Sequence, residues 1–370
     1  MSALKVAWDN SFVRKDPGGS RIYAARLLEQ FANRTDISTT IFNGWSGSLP
    51  ARNFATRALR TAGSMLWIHA GLPAVLWKRG FDLLHAPAFM APIASPCPVV
   101  ITVHDITYLL YPEHFAGWWV RYMKSVMPVV VKSAAAIICG SEHSRLDIMK
   151  AYGLSADKVR AIPYGVDHDR FHPGATLDSD WAKSLGIREG YLLHVGLFLQ
   201  RKNIPFLLRA IARLRTKNGR AVQLVLAGTE HPAVRGAAEI HQTIQELQLE
   251  DSVVLAGHVP DRHLPGLYAR AKALVMPSLY EGFGFPILES MAAGTPVVAT
   301  KSSSLPEVAG DAAILVSPTD EQALAEAIET VIANPRIAAE LRTKGLARAR
   351  QFNWERTAAE TVDVYRSVVK

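Results

Sequence analysis

Cysteine is nearly absent from this 370-residue chain: Cys97 and Cys139 stand far apart, with no C-x-x-C pair. That argues against a disulfide framework and a thiolate zinc site, and it suits a reducing cytoplasm. No uncharged apolar run reaches the ~18 residues of a membrane span. The opening Met-Ser-Ala-Leu-Lys-Val-Ala-Trp is too short and polar-flanked for a signal peptide and reads as a first buried strand. Several catalytic signatures are missing too. There is no Gly-Lys-Ser/Thr P-loop, no H-E-x-x-H and no G-x-S-x-G elbow. Gly282-Phe-Gly284 lacks the third glycine of a dinucleotide fingerprint, because position 287 is Ile. His168 and His172 have no third metal ligand near them in sequence.

The balance of what is present is that of a globular chain long enough for two domains. Charge is unevenly spread. Residues 1–165 carry 18 Lys+Arg against 10 Asp+Glu, whereas residues 166–370 carry 23 of each, so the excess of +8 lies wholly in the first half. Six of the eight tryptophans (Trp8, Trp45, Trp67, Trp77, Trp118, Trp119) fall there as well. A basic half with Trp-bearing amphipathic segments suits an anionic membrane surface. Nucleic acid would suit the charge alone, but no nucleic-acid motif supports it. A solvated basic face over an ordinary core is the plain alternative.

Apolar strand-like runs alternate with helix-like segments throughout. Strands are expected at 5–8, 38–42, 83–84, 99–103 and 136–139, with helices notably at 20–31 and 120–132. In the second half strands are expected at 191–195, 223–227, 253–255, 273–276, 297–299 and 314–316. Helices at 204–215, 233–247, 263–270, 286–293 and 320–332 alternate with them. This alternation predicts an α/β fold of two doubly wound parallel sheets. The switch between them is Ile162-Pro-Tyr-Gly-Val-Asp167 and the loop that follows.

The most informative stretch is Glu281-Gly-Phe-Gly-Phe-Pro-Ile-Leu-Glu289, set between the apolar runs at 273–276 and 297–299. Strand, loop, helix, glycine stop and strand place this loop at the C-terminal end of a parallel strand, where α/β folds bind ligands. Pro286 fits a first helical turn, so the N–H groups of Gly284, Phe285 and Ile287 are expected to face outward. Upstream, Gly196…Arg201-Lys202-Asn203-Ile-Pro205 places two cations at a helix start, with Asn203 as N-cap. That is the unfavourable end for cations, by about 0.3–1 kcal/mol each, and it makes sense if an anion such as a diphosphate sits there. The plain alternatives are solvated loop cations and a carboxylate that compensates the helix dipole. Two carboxylates could also form a glycosidase couple, but that chemistry needs no phosphate cradle. In the first half, Asp16-Pro17-Gly18-Gly19-Ser20 precedes a helix, with Ser20 as its cap. His104-Asp105 follows a strand, where the imidazole could bond a sugar hydroxyl or assist proton transfer. Ser141-Glu-His-Ser144 reads as a capping turn.

Taken as a set, these residues resemble glycosyltransferase family 4, the retaining glycosyltransferases of GT-B fold. The likeness covers nearly the whole chain. It runs through Gly18-Gly19, His104-Asp105, Ser141-x-x-Ser144, Pro163-Tyr-Gly-Val-Asp167, Gly196…Arg201-Lys202-Asn203, Leu226-Ala-Gly228, Gly257-x-Val259, Pro277-Ser278, Glu281…Glu289, Gly294-Thr295-Pro296 and Leu305-Pro-Glu307. One departure is Leu197, where many members have Arg.

The resemblance implies two Rossmann-like domains facing a central cleft. The first, 1–168 plus about 351–370, would bind the acceptor, its last helix crossing back. The second, 169–350, would hold a nucleotide-diphosphate sugar. Arg201 and Lys202 would bind the diphosphate, Glu289 the ribose and Glu281 the donor sugar. Gly196, Gly228, His258, Val259, Phe283, Gly284, Phe285, Pro286 and Ile287 would frame the donor, with Gly18 and Gly19 opposite. His104 would serve catalysis, and Asp105 and Tyr108 the acceptor side. Retention of configuration without a required metal or cofactor is implied, with GDP-mannose as the expected donor because the His-Asp-Ile-Thr-Tyr and E-G-F-G-F-P segments look most like mannosyltransferases. A UDP- or other NDP-sugar, or a non-catalytic sugar-nucleotide-binding protein, are the alternatives. The acceptor would be a glycan or lipid-linked saccharide in cell-surface polysaccharide synthesis. The enzyme would be cytoplasmic, with the basic segment 57–79 and Trp118-Trp119 as a peripheral membrane contact and no nucleic-acid partner.

Overall fold

The computed structural model describes residues 3–15, 18–44, 61–218, 222–229 and 237–369. Asp16, Pro17, Trp45, Arg57, Arg60 and the start of the helix expected at 233–247 lie outside the described residues. The chain divides into two compact units. One comprises Met1–Leu110, Gly117–Tyr164 and Trp354–Lys370; the other comprises Tyr111–Ala116 and Gly165–Asn353.

The first unit holds six parallel strands: β1 (Leu4–Asp9), β2 (Ile37–Phe42), β3 (Leu83–Ala86), β4 (Val99–Thr102), β5 (Ala136–Cys139) and β6 (Val159–Ala161). Their order is β2-β1-β3-β4-β5-β6. The inner strands Leu-Leu-His-Ala, Val-Val-Ile-Thr and Ala-Ile-Ile-Cys are buried along their whole length. Such unbroken apolar runs are what a sheet covered on both faces requires. β6 was not expected from the sequence. It is a three-residue edge strand with Arg160 exposed, too short to show a pattern. The first helix spans Gly19–Ala32 with Gly18 at its N-cap, so the cap expected of Ser20 falls two residues earlier. Ser141 caps the helix Glu142–Tyr152 by accepting from the Ser144 N–H at 3.1 Å.

The last helix, Trp354–Val368, belongs to this first unit, as expected of the crossing segment. It buries Trp354, Thr357, Ala358, Thr361, Val362 and Tyr365, spaced to one face, and packs along the first helix. A polar network pins it. The Tyr365 hydroxyl bonds His85 Nδ1, His85 Nε2 lies 2.9 Å from Thr102 Oγ1, and the Tyr23 hydroxyl lies 3.1 Å from the same oxygen. Thr357 Oγ1 donates to the Pro163 carbonyl at 2.8 Å.

The second unit carries β7 (Leu192–Val195), β8 (Leu224–Ala227), β9 (Val253–Gly257), β10 (Ala273–Met276), β11 (Val297–Thr300) and β12 (Ala313–Val316). These also run parallel, in the order β12-β11-β10-β7-β8-β9. The order reverses between β7 and β10, so the loops that leave these two strands open a crevice at the C-terminal edge of the sheet. Helices Ile204–Asn218 and Glu321–Ala333 pack together over the sheet through Leu207, Leu208, Ile211, Leu324 and Ile328. A further helix, Pro335–Ala349, was not anticipated; Asn334 caps it, accepting from the N–H groups of Arg336 and Ile337.

Burial of the His85 ring, with some help from His104, pushes its pKa from 6.5 down to about 3. The unfolded chain therefore takes up a proton that the folded unit refuses. The stability tied to this ring is complete above pH 6.5 and declines as pH falls from there to about 3. Urea midpoints of the wild type should fall across that acidic window, and His85→Gln should flatten part of the slope.

Candidate active site

The loop leaving β7 begins at Gly196, whose φ of +152° favours glycine. A Cβ there would stand 3.1 Å from Lys202 Cε, so the bare backbone makes room for the lysine stem. On the next strand, a Cβ at Gly228 would lie 1.8 Å from the Gly196 carbonyl oxygen. No side chain fits between these two backbones. Arg201 and Lys202 occupy a short 3₁₀ turn, Gln200–Lys202, ahead of the helix Ile204–Asn218. Asn203 stands at the helix start in a left-handed conformation, φ 55°, and its carbonyl accepts from the Leu207 N–H at 3.4 Å. Its side-chain amide, however, donates to the Pro318 carbonyl at 3.4 Å, so the capping bond expected of this side chain is replaced by a tie to the β12 loop.

The loop leaving β10 brings Glu281 onto the two cations. Arg201 Nη1 donates to Glu281 Oε2 at 2.9 Å and to the Tyr280 carbonyl at 3.0 Å. Lys202 Nζ lies 2.7 Å from Glu281 Oε1. Lys202 and Glu281 are each only 6 % exposed. The backbones are tied as well, since the Leu279 N–H donates to the Arg201 carbonyl at 2.7 Å. Burial raises the Glu281 pKa, but Lys202 and then Arg201 outweigh it and bring it to about 2. Glu281 is thus ionised at any physiological pH. It is therefore no proton donor, and its oxygens are committed to Arg201 and Lys202. The neighbouring His194, fully buried, donates from Nδ1 to the Val275 carbonyl at 3.0 Å. Burial above all holds its pKa near 4, with Lys202 also disfavouring its charge.

The sequence reading missed the serines that shape this loop. Ser303 Oγ accepts from the Glu281 N–H at 2.7 Å, and Ser304 Oγ lies 2.9 and 2.7 Å from the carbonyls of Glu281 and Phe283, which share its one proton. Their position just after β11, again at a strand's C-terminal end, was the available signal.

Past the loop, Gly284 (φ 115°) caps the helix Phe285–Ala292, with Pro286 in its first turn. The Ile287 N–H does not face outward as expected; it donates to the Gly284 carbonyl at 3.0 Å and closes that turn. Phe283 and Phe285 meet edge to face at 5.3 Å. Glu289 is buried on this helix and accepts from the Tyr268 hydroxyl at 2.7 Å through Oε2. Burial raises its pKa, while Tyr268 and Arg170 work the other way. The two carboxylates therefore sit in opposite electrostatic surroundings. Around β9, Gly257 (φ +62°) precedes the exposed His258 and the buried Val259, and the Gly228 N–H donates to the Gly257 carbonyl at 2.9 Å.

In the first unit, His104 lies just beyond β4. Its Nδ1 is 2.8 Å from the Tyr164 hydroxyl and its Nε2 is 3.0 Å from the Pro87 carbonyl. A ligand hydroxyl would have to replace one of these partners. Asp105 accepts from the Thr107 N–H at 2.9 Å and caps the turn that follows. Tyr108 is turned inward: it is buried, and its hydroxyl pairs with that of Tyr152, an arrangement that does not suit the acceptor contact expected of it. Among the described residues no group of three or more His, Cys, Asp or Glu is placed to hold a metal ion.

The sequence matches the family profile "Glycosyltransferase Family 4" over residues 17–170 and "Glycosyl transferases group 1" over residues 179–351. It is 33 % identical to the O-antigen chain mannosyltransferase B of Escherichia coli over 288 residues, 77 % of this chain and 74 % of that one. It is 32 % identical to the MMP alpha-(1->4)-mannosyltransferase of Mycolicibacterium hassiacum, over 96 % of this chain and 84 % of that one. Among solved structures, Anabaena HepE in complex with UDP and glucose superposes with a TM-score of 0.76 at 23 % identity, covering 98 % of this chain and 100 % of that one. Sucrose-phosphate synthase from Thermosynechococcus elongatus gives 0.75 at 24 %, covering 98 % of each. The fold and these matches together define a glycosyltransferase of GT-B type. The chain belongs to the family of group 1 and family 4 glycosyltransferases.

Proposed function

We propose that this enzyme moves a hexose from a nucleotide-diphosphate sugar to a glycan or lipid-linked saccharide acceptor, with retention of configuration. The observation that carries this reading is the Arg201–Glu281–Lys202 triad, with Glu281 and Lys202 buried, at the topological switch point of the second sheet. Two fixed cations, held on Glu281 in the loop that leads to the helix Phe285–Ala292, suit a diphosphate leaving group. As the bond from the anomeric carbon breaks, its electron pair passes to the diphosphate, and these groups stabilise the charge that develops. They supply what a metal ion supplies in other transferases. Glu281, held ionised by Lys202 and Arg201, accepts hydrogen bonds from hydroxyls of the transferred sugar, and Glu289 accepts them from the ribose. His104 and the Gly18-Gly19 loop belong to the first unit, which takes the acceptor.

For the donor, the ligands named for similar structures, UDP and glucose in HepE and UDP-glucose in a second HepE complex, favour a UDP-sugar over the GDP-mannose first expected. A second reading keeps mannose as the sugar, since the relatives at 33 % and 32 % identity are named mannosyltransferases, although one at 31 % is named a D-inositol 3-phosphate glycosyltransferase. A polysaccharide acceptor accords with the O-antigen relative. A peripheral membrane contact at a cytoplasmic face is supported by Leu66, Trp77 and Trp118, which are 69 %, 81 % and 56 % exposed, near the exposed Lys78, Arg79, Arg121 and Lys124.

A panel of UDP- and GDP-sugars, read by thermal shift and then by slow hydrolysis, should single out one donor; no stabilisation or hydrolysis with any nucleotide sugar would refute the transferase reading. Lys202→Ala should lower kcat by roughly 10²–10³, the loss of one such electrostatic contact; near-normal turnover by the folded variant would remove Lys202 from this role. Vesicles containing anionic lipid should carry the protein upward in flotation at low salt, and its absence from the lipid fraction would refute the membrane contact.

A further inference from the structure

We propose that Tyr268 is a positioning residue for nucleotide recognition: its hydroxyl fixes the Glu289 carboxylate so that the other oxygen meets the ribose hydroxyls. The inference rests on the ribose role given to Glu289 above. It adds a residue that no sequence motif indicated.

The geometry is specific. Tyr268 is fully buried, and its hydroxyl donates to Glu289 Oε2 at 2.7 Å. With Oε2 committed, Oε1 is the oxygen that remains for a ligand. A carboxylate with a free torsion loses rotamer entropy each time it engages a diol; one clamped beforehand has already lost it. The tyrosine is itself held on several sides. Thr295 Oγ1 donates to its carbonyl at 2.7 Å, and the Tyr191 hydroxyl donates to the preceding carbonyl, that of Leu267, at 2.6 Å. Both carbonyls belong to the last turn of the helix Leu264–Arg270, and that of Tyr268 also accepts from the Ala271 N–H at 3.1 Å. The Phe171 ring meets the Tyr268 ring edge to face at 5.7 Å.

Thr295 links this support to Glu289. It follows the end of the helix Phe285–Ala292, and its N–H donates to the Ser290 carbonyl at 2.9 Å. The segment that terminates the Glu289 helix therefore also anchors the backbone of the residue that orients Glu289. Tyrosine and carboxylate are set relative to one another by the backbone as well as by their mutual bond. The charged groups that act on this carboxylate are Arg170, which favours its ionised form, and Asp261, which opposes it. Arg170 and Asp261 pair with each other at 3.2 Å. Tyr268 is thus the one neutral donor that holds a single oxygen of Glu289 in direct contact among the described residues.

The test separates positioning from packing by the sugar of the nucleotide. UDP and GDP, each beside its 2′,3′-dideoxy counterpart, are titrated calorimetrically into the full-length protein. The wild type should bind the ribose form of its preferred nucleotide more tightly than the dideoxy form. Tyr268→Phe, which keeps the ring, should weaken the ribose form about tenfold, the loss expected for one hydrogen bond to a charged group. It should leave the dideoxy form unchanged, so the ratio between the two collapses. Glu289→Gln should collapse the same ratio, and combining the two changes should add little to either alone. An equal loss for ribose and dideoxyribose forms, or no loss for either, would overturn the positioning role. A wild type that does not distinguish ribose from dideoxyribose would overturn the ribose role of Glu289, and the proposal with it.

Discussion

A carboxylate sealed between two cations governs the second unit. Removing an ion from water costs several kcal/mol even after relaxation, and only close, well-made partners offset it. Glu281 has two such partners, at 2.9 and 2.7 Å, from adjacent residues of another loop. Each local peculiarity nearby serves this arrangement. Gly196 clears space for the Lys202 stem, the contact between the Gly196 and Gly228 backbones lets the β7 loop lie flat, and Asn203 turns left-handed so that both cations leave the same short turn. Ser303 and Ser304 hold the other side by its backbone. Either loop alone would leave buried charge unpaired, so the two fold as one object.

The first unit is organised by a neutral counterpart. His85, in the middle of its sheet, is kept uncharged by burial and bonded to Tyr365 and Thr102. Tyr365 lies 280 residues further along the chain, in the helix that returns from the end of the sequence. A polar network so deep in the core demands that every member be satisfied. It therefore fixes where the last helix sits more narrowly than its apolar face alone could.

Most of the architecture could be read from the sequence because parallel strands are written as unbroken apolar runs. Val99–Thr102, Ala136–Cys139 and Ala273–Met276 are such runs. β6 escaped because three edge residues carry no period. In the site, Arg201, Lys202, Glu281 and Glu289 were legible because charge beside glycine at a strand's end is out of place unless it meets something. That Glu281 would meet the two cations themselves was not legible; the partners are some 80 residues apart. Tyr268 lay hidden in a short helix whose residues 265–268 are all buried, where a buried tyrosine looks like core. The Ile287 N–H was misjudged because Gly284, at φ 115°, bends its carbonyl back into the first helical turn.

The triad also has a bearing on what the enzyme ignores. With one carboxylate lying on two cations, the cluster carries a single net positive charge, not two, and neither cation stands bare. A cell is crowded with small anions, and an open pair of cations would spend much of its time holding orthophosphate. Here an incoming anion must outbid a carboxylate that is already seated and desolvated. A lone phosphate has little to offer beyond its charge, whereas a nucleotide sugar brings hydroxyls to engage the displaced carboxylate and a ribose and base to bind elsewhere. In the role proposed for this site, the guarded charge would act as a filter, admitting the anion that arrives with the rest of its molecule attached.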